Sequence, residues 1–82
     1  MTLDEIRAAF VADLTAVAPA IDAQSLREND HLQDDLGLEP MDFLNLVSAL
    51  HRRLGLPIPE VDYPLLATTA PAVAYLDQAL AG

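Results

Sequence analysis

Between Met41 and Leu54 the apolar residues return every three or four positions, at Met41, Leu44, Val47, Leu50 and Leu54, with Phe43 and Leu46 widening the stripe. That period is the one an α-helix needs to cover a single face, so a helix is predicted here, stopped by Gly55 after Arg52 and Arg53. The same spacing occurs at Leu3, Ile6, Phe10, Leu14 and Val17, which predicts a first helix over 3–18. Thr2 with Glu5 three residues later forms a capping-box pattern at its start, and Pro19 follows its end, where proline cannot continue a helix. Between the two, residues 19–38 keep no period. Ile21, Leu26, Leu32, Leu36 and Leu38 punctuate this polar segment, as expected of a long loop pinned to a core.

Downstream, the "LPIP" of Leu56 to Pro59 must be extended, because two prolines remove donors and bias the residues before them. A short helical element is expected around 62–66, with Pro64 in its first turn. Thr68 or Thr69 is the expected cap of a last helix, with Pro71 in its first turn and an apolar face of Val73, Leu76 and Leu80 beside Ala72 and Tyr75. The predicted architecture is all-α: a four-helix bundle of three main helices and a short third one, with a long first loop, forming a single domain over 1–82. Composition agrees. The chain is 52% hydrophobic, but fourteen of those residues are alanine, which favours helix over sheet.

The formal charge of −9 comes from thirteen acids against four arginines, with no lysine. Such a field repels phosphate backbones and anionic membrane surfaces and favours encounter with basic protein surfaces, so nucleic acid is excluded as an expected partner. There is no cysteine, hence no disulfide framework and no thiolate metal site. The apolar runs fall well short of the ~20 residues a membrane span needs, and "MTLDEIRAAF" lacks a signal peptide's basic start and apolar stretch. A monomeric cytoplasmic protein without membrane insertion is expected.

Enzymatic chemistry finds no support. His31 lies in the acidic loop and His51 on the second helix, with no nucleophile placed near either in sequence, and no lysine exists to form a Schiff base. The three glycines, Gly37, Gly55 and Gly82, make no phosphate-cradling loop. Asp30, Asp34, Asp35 and Glu39 crowd four carboxylates into ten residues. Their spacing matches no EF-hand, so a solvated acidic loop is expected, and no metal site.

The stretch "DDLGLEPMDFLNLVSALHRRLGLPIPEVDYPLLATTAPAVAYL" resembles the second half of an acyl carrier protein, in which an acidic loop ends in a D-L-G-x-D-S-[LM] motif before the second helix. The first helix and long loop agree in length, so the resemblance spans the chain. It implies a four-helix bundle, the architecture already read from the periodicity. It also implies a serine at the helix entrance that carries a 4'-phosphopantetheine arm, whose thiol holds an acyl group. In this sequence Asp35, Leu36 and Gly37 agree with the motif, Glu39 replaces aspartate, Met41 is an accepted hydrophobe, and Pro40 stands at the serine position. Proline has no nucleophilic oxygen, so no prosthetic group is expected as the sequence is written. With Glu39 as N-cap, Pro40 falls on the first helical position, where a missing amide hydrogen costs nothing. Among the other hydroxyls, those of Ser25, Ser48, Thr68 and Thr69 do not stand beside the D-L-G loop.

By the same resemblance, partners dock along the second helix and are expected to be acyl-transfer, ligase or synthase enzymes. Around the entrance the docking candidates are Leu38, Glu39, Met41, Leu44, Ser48 and Ile58. Asp42 keeps the family's acidic character, whereas Asn45, His51 and Arg52 depart from it. A non-carrying, protein-docking homologue is therefore the leading expectation. Two others stand beside it: a functional carrier whose serine is replaced by Pro40 in this variant, and a bundle that binds an apolar ligand without covalent attachment, lined by Leu50, Leu54, Ile58 and Leu66.

Overall fold

In a computed structural model describing Met1–Gly82, three α-helices carry the fold: α1 (Leu3–Val17), α2 (Pro40–Leu54) and α3 (Thr69–Ala81). A seven-residue 3-10 helix, Glu60–Leu66, is the fourth and shortest, and a single 3-10 turn, Ala23–Ser25, lies in the long loop. There is no sheet; one isolated antiparallel bridge joins His31 to Thr68. The all-α bundle with a long first loop is the one the periodicity predicts.

The start of α1 is the predicted capping box. Thr2 Oγ1 accepts the Glu5 N–H at 3.1 Å and Glu5 Oε1 accepts the Thr2 N–H at 2.8 Å, which satisfies two of the donors a helix start leaves free. Those bonds hold the Glu5 carboxyl below its ordinary range, the backbone bond from Thr2 contributing most. At its other end α2 stops at Gly55, whose φ of +66° glycine adopts without strain.

The buried face of α2 is narrower than the predicted stripe and omits its first two residues. Phe43, Leu46, Val47 and Leu50 face the core, while Met41 is 67% and Leu44 47% exposed. Residues 43, 46, 47 and 50 stand at i, i+3, i+4 and i+7, a complete stripe of their own, and 41 and 44 fall outside that arc. Against it pack Ile6, Phe10 and Leu14 of α1, Ala72, Val73 and Leu76 of α3, and Leu66 from the 3-10 helix. Leu32 and Leu38 complete the core from the loop, and Ile21, Leu26 and Leu36 lie half-buried against it, as expected of loop anchors.

Two further expectations are corrected. Pro64 is the fifth residue of the 3-10 helix, not part of its first turn. Such a short segment tolerates the missing donor because few bonds hold it, among them Asp62 N–H to Pro59 O at 2.9 Å and Ala67 N–H to Pro64 O at 3.3 Å. At α3, Thr68 takes the N-cap position, but its side chain makes no capping bond, and Thr69 is the buried first helical residue. An N-cap side chain serves the amides of the second or third helical residue. Here the second, Ala70, donates instead to the Glu28 carbonyl at 3.0 Å, and the third is Pro71, which has no N–H.

Candidate functional site at the entrance of the second helix

The loop before α2 is folded on itself. The His31 N–H donates to Asp35 Oδ2 at 2.8 Å, and the Asp35 N–H returns to the His31 carbonyl at 2.8 Å. The N–H groups of Gln33 and Asp34 donate to His31 Nδ1 at 3.3 and 3.1 Å, which requires Nδ1 to be unprotonated and leaves the ring proton on Nε2. In that tautomer the 3.7 Å approach of Asp34 Oδ2 to Nδ1 is not an ion pair. Leu32 N–H to Ala67 O at 2.8 Å ties the loop to the start of α3, and Leu38 N–H to Leu32 O at 2.9 Å closes it. The chain reverses at Gly37, whose φ is +74°.

From this loop the chain enters α2 through Glu39, which has extended geometry (φ −75°, ψ 153°) and makes no side-chain capping bond. That conformation suits a residue preceding proline. Pro40 is the first helical residue and is exposed, and the first α2 bond outside its interior runs from Phe43 N–H to the Glu39 carbonyl at 2.9 Å. No hydroxyl stands at the entrance. The next one along the chain is on Ser48, two turns into the helix, and the preceding one is on Ser25, which donates to Asp22 Oδ2 at 3.2 Å.

Of the docking candidates, Met41, Leu44, Asn45, Ser48, His51 and Arg52 all lie on the exposed side of α2, at i, i+3 and i+4 spacings opposite the core stripe. Glu39 is exposed beside them, and Asp42 and Ile58 are half-buried. Leu38 does not belong to this face. It is 4% exposed and part of the core, because the Leu38–Leu32 bond turns it inward. The exposed face is thus apolar near the entrance and polar to cationic toward the C-terminal end.

The four loop carboxylates do not converge, and no group of three or more His, Asp or Glu side chains has metal-holding geometry. Asp35 is spent on the His31 amide and Asp30 on the Arg27 amide, at 3.2 Å. Nor is the interior near Leu50, Leu54, Ile58 and Leu66 open, since Leu50 and Leu66 are fully buried. A cavity of about 410 Å³, open to solvent, lies instead between the loop, α2 and the 3-10 helix, lined by His31, Gln33, Phe43, Tyr63, Pro64 and Ala67.

Four polar contacts escaped the sequence reading. Arg53 does not simply complement the end of α2. Its Nε donates to both Asp13 oxygens at 3.0 Å and its Nη2 to Oδ1 at 2.8 Å, which clamps α2 to α1 and raises the guanidinium pKa. Asp13 is buried at i+3 from Phe10 on the apolar side of α1, and an acid on such a face was the available signal that a cation must meet it. Arg7 pairs with Glu28 at 2.7 Å and holds the loop to α1. Tyr75 donates to Asp62 Oδ2 at 2.7 Å, a bond that, with burial and the negative charge, raises the phenol above its ordinary value of 10.0. His51 Nδ1 lies 2.6 Å from the Leu56 carbonyl and donates to it.

A small all-α bundle with a structured acidic loop leading into an exposed helix start is the architecture of a carrier protein. Residues 5–74 match the family described as "Phosphopantetheine attachment site". The chain belongs to this family, that of the acyl carrier proteins, which are carriers and not enzymes. It is similar to acyl carrier protein AcpXL of Rhizobium meliloti, with 39% identity over 49 residues, 60% of this chain and 52% of that protein. The match therefore spans about half the length of that relative. Acyl carrier proteins of Campylobacter jejuni and Chloroherpeton thalassium are similar over almost their whole length: 29% identical over 76 residues (93% of this chain, 92% of the relative) and 24% over 76 residues (93% and 94%). The family carries a 4'-phosphopantetheine prosthetic group.

Proposed function

We propose that this chain is a non-carrying member of the acyl carrier family: it keeps the docking fold and does not take the phosphopantetheine arm. The reading rests on Pro40. The family's arm needs a hydroxyl at the helix entrance, and the first residue of α2 is a proline with no oxygen to attach through. The residues present do not fit the group, because the loop and helix that would offer the hydroxyl are built and the nucleophile is missing.

On this reading the protein acts through contacts. Its partners are acyl-transfer, ligase or synthase enzymes that meet the exposed face of α2 through Glu39, Met41, Asp42, Leu44, Asn45, Ser48, His51, Arg52 and Ile58. The net charge of −9 favours a basic surface on the partner. We place it in the cytoplasm as a monomeric single domain over 1–82, without contact to nucleic acid or insertion in a membrane. No helix is long and apolar enough to cross one.

The test is the intact mass of the protein after incubation with coenzyme A and a promiscuous phosphopantetheinyl transferase, beside a Pro40→Ser variant. The wild type is expected to keep its mass while the variant gains the arm. A gain by the wild type would overturn the reading and show that another hydroxyl, Ser48 first among them, is the attachment site.

A further inference from the structure

We infer that His31 is a proton-operated latch on the turn that leads into α2: the neutral ring fastens the turn, and a second ring proton releases it. This inference does not rest on the non-carrying reading, since no part of it involves position 40.

Two peptide units carry the coupling. The unit joining Leu32 to Gln33 gives its N–H, that of Gln33, to His31 Nδ1 at 3.3 Å, while its carbonyl, that of Leu32, accepts the Leu38 N–H at 2.9 Å. The next unit, joining Gln33 to Asp34, repeats the arrangement: the Asp34 N–H meets the same nitrogen at 3.1 Å, and the Gln33 carbonyl accepts the Gly37 N–H at 3.2 Å. A trans peptide unit is planar, with its N–H and carbonyl pointing opposite ways, so a bond that holds one end orients the other. One imidazole nitrogen therefore sets the direction of both carbonyls that hold Leu38 and the reversal at Gly37. Glu39 and Met41, exposed at the start of the docking face, follow directly.

A proton placed on Nδ1 turns that acceptor into a donor facing two donors. The Gln33 and Asp34 amides then lose their partner, whereas the Asp34 carboxylate, with Oδ2 3.7 Å from Nδ1, becomes both acceptor and counter-ion for the new N–H. Protonation thus exchanges two backbone bonds for one side-chain ion pair. The His31 side chain is 35% exposed, so solvent protons reach it. The other charges nearby do not oppose the exchange. Asp35 accepts the His31 backbone N–H at 2.8 Å, Asp30 accepts the Arg27 N–H at 3.2 Å, and no arginine lines the cavity that His31 shares with its neighbours. Around that cavity the 3-10 helix contributes Tyr63 as its titratable group, α2 contributes Phe43, and the start of α3 contributes Ala67 and the bridge to Thr68, which carry no charge. His51 behaves differently: its Nδ1 donates to the Leu56 carbonyl at 2.6 Å, so a further proton goes to the other nitrogen and leaves that bond in place. The release is local, because the core stripe of Phe43, Leu46, Val47 and Leu50 holds α2 independently of the turn.

The test follows the uniformly ¹⁵N-labelled protein by NMR from about pH 8 down to about pH 5, the range in which histidine ordinarily changes charge, beside His31→Asn. Asparagine there places a side-chain oxygen where Nδ1 stands and accepts nearby amides of its own backbone without titrating. In the wild type the ring nitrogens should show Nδ1 bare at the high-pH end and protonated at the low, and the amides of Gln33, Asp34, Gly37 and Leu38 should move together on that one transition. Across it the protection of the Gly37 and Leu38 amides, corrected for intrinsic exchange, should fall at least about fivefold, with helix content by circular dichroism unchanged. In His31→Asn these amides should stay in place. A ring that takes up its proton without moving Gly37 and Leu38 overturns the coupling, a readout that needs no variant. A ring that stays neutral to the low-pH end, or that carries its proton on Nδ1 at the high-pH end, overturns the latch. The same transition in His31→Asn assigns it to the loop carboxylates and overturns the role of His31. None of these outcomes changes with the presence or absence of the prosthetic arm, which the mass measurement reads separately.

Discussion

Replacing Pro40 by serine puts a hydroxyl at the entrance of α2, and its structural cost follows from the site. Pro40 is exposed at the first helical position, so the change removes no core packing. It removes no hydrogen bond either, since proline donates none, and the amide that serine adds points where a helix start leaves amides to solvent. What remains is the unfolded chain, which gains freedom when the ring is opened. Such changes are worth about 0.4–1 kcal/mol. In a domain of this size 1 kcal/mol moves Tm by roughly 4–8 °C, so Pro40→Ser should lower Tm by about 2–8 °C and leave helix content by circular dichroism unchanged. Pro40→Ala, which adds no hydroxyl, should show nearly the same loss. A fall of more than about 16 °C, twice the most that entropy supplies, would show that Pro40 makes native contacts absent from this structure. An increase in Tm would show that the ring is strained at that position.

Three further outcomes follow from other parts of the molecule. Leu46→Ala should cost about 2–5 kcal/mol in urea unfolding, as for other fully buried leucines, while Leu44→Ala on the exposed side stays within about 0.5 kcal/mol; the reverse order would place Leu44, and not Leu46, in the core. Arg53→Met leaves Asp13 buried without its cation and should lower Tm well below that of Arg52→Met, whose side chain is exposed and makes no ion pair; equal Tm values would show that the Asp13 clamp is energetically idle. Tyr75 is held neutral by Asp62, so its folded pKa exceeds the unfolded value of 10.0. Its contribution is complete below that value and is lost as pH rises through the folded pKa, because the unfolded chain gives up the proton first. Stability measured above pH 10 should therefore fall more steeply for the wild type than for Tyr75→Phe, and identical slopes would remove Tyr75 from the account.

The helices were legible because each carries its own period and its own stops: Thr2 and Glu5 at one start, Gly55 at one end, Pro40 at the first position of α2. The face of α2 was not, because apolar residues stand on both sides of it. Met41, Leu44, Phe43 and Leu46 fit two overlapping stripes at helical spacing, and only the packing of α1 and α3 selects between them. Leu38 was read both as a loop anchor and as a docking residue, and sequence could not choose between the two for a related reason. Its direction depends on a bond to Leu32 within a loop that has no period to read. The capping of α3 by a carbonyl forty-two residues upstream, Glu28 to Ala70, is a long-range contact that no local pattern announces. At the entrance itself, the residue type at position 40 could be read directly, whereas the cavity could not, because its walls come from three separate segments.

The long first loop is stitched to the bundle at several points, and this divides it into unequal parts. From residue 28 onward it is fastened by Arg7 to Glu28, by Ala70 N–H to the Glu28 carbonyl, and by Leu32 N–H to the Ala67 carbonyl. Before residue 28 it is held mainly by half-buried apolar anchors and by local bonds around Asp22. Evolution and protein engineering meet different freedoms in the two halves. Residues 19–25 form a segment in which the chain can be lengthened at the small cost of a longer loop closure, whereas one residue gained or lost between 31 and 38 puts the Gly37 reversal out of register with α2.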